Sequence, residues 1–292
     1  MRRYTELKEQ LGSLQNLRQI VSALRSLAAV RLQEARATLA SIQTYTTHIE
    51  ASLRLARQPV PIGETKPTSA MMLVIAFMSE HGFVGSLNAK VLDTLVAELD
   101  GRDHRIIAVG TRGTQVGLER GFNIDATLPA PSHASTALPL VNRLTEQIYE
   151  RLARGEVDGL LLCYPRPTED AQWEVSLKRL LPLPDLQQDE KPSRLPPLTY
   201  VARDRLAAAL VEEWLFAEIM QAQMLAFAAE NGARLTTMES IHGNIAEKLD
   251  RLSQQTSAIR QEEVTTELMD IVIGAQAVLA NPVQNGVTTK SR

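Results

Sequence analysis

Residues 7–56 read LKEQLGSLQNLRQIVSALRSLAAVRLQEARATLASIQTYTTHIEASLRLA. Alternating steps of four and three residues pick out a mostly apolar series in this segment, from Leu7 to Leu53, which we call the N-terminal seam. Apolar residues that recur every 3.5 positions stay on one side of a supercoiled helix, so the series predicts a coiled-coil strand. Polar residues interrupt the seam, among them Arg18 and Thr46.

A second apolar stripe widens the face of this helix between residues 14 and 28, and it consists of Leu17, Leu24 and Leu27. Because packing against one neighbour requires only one stripe, two stripes predict more than one partner surface. Basic residues also outnumber acidic ones by seven to three over the first 36 positions. This excess fits either a solvated helical face or contact with an acidic protein partner.

The C-terminal arm repeats the apolar spacing from Leu235 to Ile259. Thirteen of the 14 prolines lie between Pro59 and Pro197, so both arms can form uninterrupted helices. We predict an N-terminal coiled-coil helix over 1–58, a C-terminal coiled-coil helix over 204–281 and a tail over 282–292. Since both arms leave one middle domain, they can pair as an antiparallel two-helix coiled coil.

The middle of the chain, residues 69–200, has a different period. Three short apolar runs are typical of buried parallel strands, at 71–78, 105–109 and 159–164. Amphipathic stretches lie between them at about 87–99 and 138–154. This alternation predicts a Rossmann-like, three-layer α/β domain. The proline-rich segment 182–197 then predicts an extended connector or a loop.

The two arms differ in length by roughly 20 residues, or about 30 Å of helix. The last turns of the C-terminal arm should therefore extend past the N-terminus without an intramolecular partner. These turns are apolar on nearly every side, so they need a sleeve formed by other subunits. We expect them to form a bearing tip made of Ile271, Val272, Ile273, Gly274, Ala275, Ala277 and Val278.

Composition excludes several classes of function. The formal charge is −3, so no polycationic surface for nucleic acid is present. The single cysteine, Cys163, excludes an internal disulfide and favours a cytosolic setting. The N-terminus lacks the apolar core of a signal peptide, and the longest apolar runs fall short of a membrane span, so any membrane role is expected to be peripheral.

Catalytic and metal-binding patterns are missing from the sequence. The five histidines show no metal-ligand spacing with one another or with Cys163, and no nucleophile-and-base set or paired-carboxylate arrangement is found. The loop 79–88, SEHGFVGSLN, follows an apolar run and enters an amphipathic stretch. Its glycine spacing matches no nucleotide-binding loop, so a structural turn is favoured over an anion site. We therefore expect no catalytic residue, metal or cofactor.

These segments together resemble the gamma subunit of F-type ATP synthases. The most specific match is AENGARLTTM at 229–238, which is similar to the family's SEHAARMMAM. Other matching segments follow in order along nearly the whole chain: 20–29 resembles KITxAMKMVAA, 79–88 stands where the family has SDRGLCGGLN, 180–183 reads LLPL, and 260–278 resembles RQAxITxELxEIxxGAAAV.

The resemblance implies a non-catalytic rotor shaft in the central stalk. Its coiled coil would turn inside a hexamer of alpha and beta subunits, and its α/β domain would contact the epsilon subunit and the c-ring. Ion flow through the ring would then drive sequential change at the catalytic beta subunits. The family positions that contact the catalytic subunit correspond to Arg25, Arg234, Arg260, Gln261, Thr265 and Glu267.

The implied location is the cytoplasmic face of a bacterial inner membrane, reached only through the ring. Departures from the family strings, such as HGFVGS in place of RGLCGG, indicate a divergent branch, either an alternative ATPase or a sodium-coupled one. Two other functions are open at this point: a small α/β enzyme whose arms oligomerise it, and a static coiled-coil adaptor. Arms of unequal length with an apolar tip favour the rotor over both.

Overall fold

The computed structural model describes residues 2–56, 71–168, 172–183 and 200–280. Most of the predicted connector and the predicted tail 282–292 lie outside these residues, as do the side chains of Ala277 and Val278. The elements, in order, are α1 (Arg2–Ala56), β1 (Met72–Phe77), α2 (Leu87–Leu99), β2 (His104–Val109), α3 (Thr111–Glu119), β3 (Ala126–Leu128), a 3₁₀ turn (Ala134–Thr136), α4 (Ala137–Ala153), β4 (Gly159–Pro167), β5 (Trp173–Leu181) and α5 (Arg203–Ala280).

The strands form one five-stranded sheet in the order β3-β2-β1-β4-β5. The first four strands are parallel, and β5 pairs antiparallel with β4 at the edge. All three predicted strands are present, and α2 has the predicted bounds. The sequence prediction missed α3, β3 and β5. Strand β5 was not predicted because its sequence, WEVSLKRLL, mixes charged with apolar residues, which is typical of a partly buried edge strand.

Helices cover both faces of the sheet, so the predicted three layers are confirmed. Because successive strand residues point to opposite faces, Leu73 and Ile75 of β1 join one core, together with residues of α4 and α5. Val74 and Ala76 join the other core, with α2 and α3. The part of α5 that holds Trp214 packs on this face of the sheet and also beside α1, because the same cluster includes Leu53.

Gly113 allows α3 to pack closely on the end of β1. A Cβ atom at this position would lie 2.1 Å from Met78 Cβ and 2.9 Å from Asn88 Oδ1. We expect Gly113→Ala to lower the free energy of unfolding by about 1–3 kcal/mol, because the helix would have to move off the strand. Urea unfolding followed by tryptophan fluorescence measures this. The control is Gly232→Ala, where a Cβ meets nothing within 4 Å and about 1 kcal/mol of added stability is expected. Equal effects at the two sites would contradict the close packing.

The chain divides into two compact units, residues 24–239 and residues 1–23 with 240–292. In the larger unit, Tyr45 Oη donates a hydrogen bond to Glu213 of α5. Earlier residues of α1, Leu32 and Ala35, share a cluster with a later residue of α5, Phe227. The two helices therefore run antiparallel in this unit, as predicted.

Residues at the predicted apolar positions of both arms are buried in each unit. In the larger unit the seam residues Ala28, Leu32, Ala35, Leu39 and Leu53 are buried. In the smaller unit Val21, Ile245 and Leu249 are buried. Thr46 fits its buried seam position because its hydroxyl donates to the carbonyl oxygen of Ile42 at 3.0 Å. Leu17 and Leu27 of the second stripe are more than 40% exposed, which leaves that stripe available to a partner.

Candidate partner interfaces

The loop after β1 is fastened to α5 by two side chains of that helix. Glu230 Oε1 accepts hydrogen bonds from the backbone N–H groups of Glu80 at 3.2 Å and His81 at 3.3 Å. Arg234 donates to the carbonyl oxygens of Gly82 at 3.3 Å and His81 at 3.4 Å. Glu230 and Arg234 are buried and paired with each other at 2.5 Å. We call this group the loop clamp.

The loop 79–88 therefore has the structural role that its sequence favoured. Its N–H groups do bind an anion, but that anion is the chain's own Glu230 carboxylate. The loop is also closed on itself, because Asn88 Oδ1 accepts from Ser79 N at 2.9 Å and Asn88 Nδ2 donates to Ser79 Oγ at 2.8 Å. Phe83 lies at φ +62° with its side chain 60% exposed, a strained conformation that presents an aromatic ring to solvent.

Helix α5 crosses the carboxyl edge of the sheet at the loop clamp. Its residues Trp214, Ile219 and Ala226 belong to the core on one face of the sheet, whereas Ala233 belongs to the core on the other face. Glu230 lies between these two contacts along the helix, and Arg234 follows directly after the second. The polar clamp thus holds α5 at the point where it passes from one layer to the other.

A second buried charge joins α5 to the edge strand. Glu218 is 2% exposed, and its Oε2 lies 2.5 Å from Lys178 Nζ of β5. Burial raises the pKa of Glu218; the ion pair with Lys178 opposes this rise, and the nearby carboxylate of Glu50 adds to it. The other carboxylate oxygen has no hydrogen-bond partner among the described residues. Sequence reasoning missed this pair, since its members are 40 positions apart on elements of different type.

Arg260, Gln261, Thr265 and Glu267, the predicted contacts of the C-terminal arm, are all exposed in the smaller unit. Arg260, Gln261 and Thr265 line one shallow groove with Ser257 and Val264. Thr265 Oγ1 donates to the carbonyl oxygen of Gln261 at 2.8 Å. Arg25 is half-buried and belongs to the larger unit, together with Arg234. The structure therefore brings together three of the six predicted residues.

Large apolar side chains of the predicted tip are open to solvent. Ile271, Val272 and Ile273 are 67%, 50% and 62% exposed, and Leu268 and Met269 before them are about as open. Gly274 and Ala275 are exposed as well. Exposed apolar patches of this kind are typical of sites that contact another protein, a membrane or a ligand.

Nothing in the described part of the chain groups three or more His, Cys, Asp or Glu side chains that could hold a metal ion. Cys163 is buried in the sheet, and burial raises its pKa to about 12, so its thiol is not activated. No helix among the described residues combines the length and hydrophobicity needed to cross a membrane.

Comparison with known proteins agrees with this arrangement of long helices around an α/β domain. A family model described as ATP synthase matches residues 3–278. The chain belongs to this ATP synthase family. Curated family members named ATP synthase gamma chain include those of Sulfurihydrogenibium sp., 21% identical over 94% of this chain and 97% of the relative, and Rhodospirillum rubrum, 24% identical over 94% and 98%. The predicted resemblance to gamma subunits is confirmed, and the low identity fits a divergent branch.

Solved structures of this family share the fold. A chain of the Euglena gracilis mitochondrial ATP synthase, from the OSCP/F1/c-ring assembly, matches with a TM-score of 0.66 and 17% identity over 99% of both chains. A chain of the Tetrahymena thermophila mitochondrial ATP synthase central stalk and c-ring matches with a TM-score of 0.54 and 17% identity, over 76% of this chain and 99% of that one. The predicted fold class is therefore confirmed.

Proposed function

We propose that this chain is the central rotor shaft of a bacterial F-type ATP synthase, a gamma subunit without catalytic residues of its own. The observation that carries the proposal is the exposed apolar tip of α5 in a chain that matches the ATP synthase family over nearly its whole length. Turns with apolar residues open to solvent need a surrounding partner, and a sleeve of other subunits supplies one.

The partners in this proposal are the alpha and beta subunits around the coiled coil, and the epsilon subunit and c-ring at the α/β domain. The similar structures belong to an OSCP/F1/c-ring assembly and to a central stalk and c-ring, which supports these partners. The subunit would be peripheral, on the cytoplasmic face of the inner membrane, with contact to the membrane only through the ring. Ion transport, of protons or sodium, would then be a property of the whole complex.

Within this proposal, Arg260, Gln261, Thr265 and Glu267 contact the catalytic subunits, because they are exposed next to the tip. Arg25 is a further contact on α1. Arg234 has a different role in the shaft: its guanidinium group is already bonded within the chain, so it acts by fixing the loop 79–82.

Co-expression with candidate alpha and beta subunits tests the proposal. The purified complex should hydrolyse ATP, and a bead attached to the α/β domain should rotate in steps. A complex that hydrolyses ATP while the bead stays still would indicate a static adaptor. A stable homodimer that ignores both subunits would overturn the assignment.

Removal of residues 271–292 should weaken retention of the shaft. Ile271, Val272 and Ile273 would each contribute about 1.5–3 kcal/mol if fully buried in a sleeve. We therefore expect the rate of dissociation from the hexamer to rise by about 100-fold or more. Pull-down of labelled chain over time measures this rate. Removal of 283–292 alone is the control, and an equal effect of both deletions would exclude the apolar tip as the bearing.

A further inference from the structure

Glu80 lies where the loop clamp meets the carboxyl edge of the sheet. Its backbone N–H donates to Glu230 of α5. Its carboxylate accepts hydrogen bonds from Thr111 N at 3.0 Å, Thr111 Oγ1 at 2.8 Å and Ala130 N at 2.7 Å. Glu80 follows β1, Thr111 follows β2 and Ala130 follows β3. One residue therefore connects α5 to the ends of three adjacent strands.

These bonds differ in kind from the apolar contacts of α5 with the sheet, and they lie at the carboxyl ends of the strands, whereas the ion pair of Glu218 with Lys178 lies on the edge strand. The clusters that include Trp214 and Ala233 are apolar, and they hold the helix through interdigitated side chains without directional bonds. Hydrogen bonds to a carboxylate are short and directional. The bonds of Glu80 and of the clamp are therefore suited to hold α5 against a twisting force.

We propose that Glu80 is a positioning residue that transmits torque between the sheet and α5. It fixes the loop 79–82 to the ends of β2 and β3, and Glu230 and Arg234 fix the same loop to the helix. Load on the ends of β1, β2 and β3 thus reaches α5 through one connected set of hydrogen bonds. This role rests on the proposed function as a rotor shaft.

The test uses complexes assembled with the alpha and beta subunits, held on a surface by the hexamer, with a bead on the α/β domain. Without ATP, the angular variance of the bead reports the torsional stiffness of the shaft. Glu80→Gln keeps the size of the side chain but removes its charge, so the N–H groups of Thr111 and Ala130 share a neutral amide oxygen and the amide NH₂ faces Thr111 Oγ1. We expect the variance to rise by about twofold, because charge-assisted bonds are replaced by weaker or mismatched ones.

Glu119→Gln is the matched control, since Glu119 is exposed on α3 and bonds only to Gln115 of the same helix among the described residues. It should leave the variance unchanged. Glu80→Asp keeps the carboxylate and should recover most of the stiffness, which a mere loss of volume would not predict. Thr111→Val removes a single bond to Glu80 Oε1 and should give a smaller rise.

The outcomes separate this proposal from the one on which it rests. If the complex with the unaltered chain fails to rotate with ATP, the rotor function is wrong. If it rotates but Glu80→Gln leaves the variance at the level of Glu119→Gln, the role of Glu80 is overturned. If the Glu80→Gln chain does not assemble, the complex with Thr111→Val provides the test. An angular variance equal to that of the unaltered chain would then overturn the role of Glu80.

Discussion

Replacement of Arg234 with methionine is expected to lower the free energy of unfolding of the larger unit by about 3 kcal/mol. The substitution removes the guanidinium that pairs with buried Glu230 and that satisfies the carbonyl oxygens of His81 and Gly82. The Glu230 carboxylate would keep its two backbone donors but lose its countercharge in a site that is 4% exposed. Urea unfolding followed by the fluorescence of buried Trp214 measures the loss.

The same helix contains a matched control. Glu247 and Arg251 form an ion pair with the same four-residue spacing and the same 2.5 Å separation, but their side chains are 63% and 71% exposed. Arg251→Met should change stability by less than about 0.5 kcal/mol, since an exposed pair gains little over solvation. A similar loss of stability at Arg234 and Arg251 would show that burial of the loop clamp does not contribute to the free energy of unfolding.

Substitution of Lys178 should lower the free energy of unfolding more than neutralisation of Glu218 does. Lys178→Met leaves the Glu218 carboxylate buried without a cation, with Glu50 nearby, and we expect a loss of about 2 kcal/mol. This expected loss of stability is small for a buried ion pair because the Lys178 side chain is 39% exposed. Glu218→Gln removes the buried charge and lets the lysine turn to solvent, so a change within about 1 kcal/mol is expected. The same urea titrations measure both changes.

The raised pKa of Glu218 also predicts the direction of a pH effect. A carboxyl group with a higher pKa in the folded state binds protons more tightly there than in the unfolded chain. Its stabilising contribution is full below the unfolded pKa, near 4.3, and decreases as pH rises through the folded pKa. Stability of the unaltered chain relative to Glu218→Gln should therefore fall as pH rises from about 4. If stability instead rose with pH, the ion pair with Lys178 would have a larger effect on the pKa of Glu218 than burial has.

Local periodicity explains how much of the fold could be predicted. The 3.5-residue spacing of Leu32, Ala35 and Leu39 predicted a seam that is buried, because the period of a helix face depends only on neighbours along the chain. The continuous apolar run of β1 predicted a central strand for a similar reason. Strand β5 lacks such a pattern, since charged residues such as Lys178 and Arg179 interrupt its apolar ones.

The candidate interfaces were predictable to a different extent. An apolar stretch without an intramolecular partner was expected because nearly every side of the helix is apolar there, and Ile271 and Ile273 are exposed. The role of this stretch as a bearing stays a prediction. Arg234 was expected to contact a partner, but the structure shows its bonds to a loop about 150 residues away in sequence. No spacing rule connects positions so far apart in the sequence, so the role of Arg234 in the loop clamp could not be predicted without the fold.

The sequence by itself determined two proline-free apolar arms, an α/β middle and an apolar stretch near the end of the second arm. Each of these follows from the order of residue types within a few turns of helix or one strand. Only the tertiary structure decided that α5 is also a layer of the α/β domain, and that Glu80, Glu230 and Arg234 join this helix to three strands. The physical reason is that buried polar groups are satisfied by whichever partners the fold brings within hydrogen-bond distance, and chain order does not encode that distance.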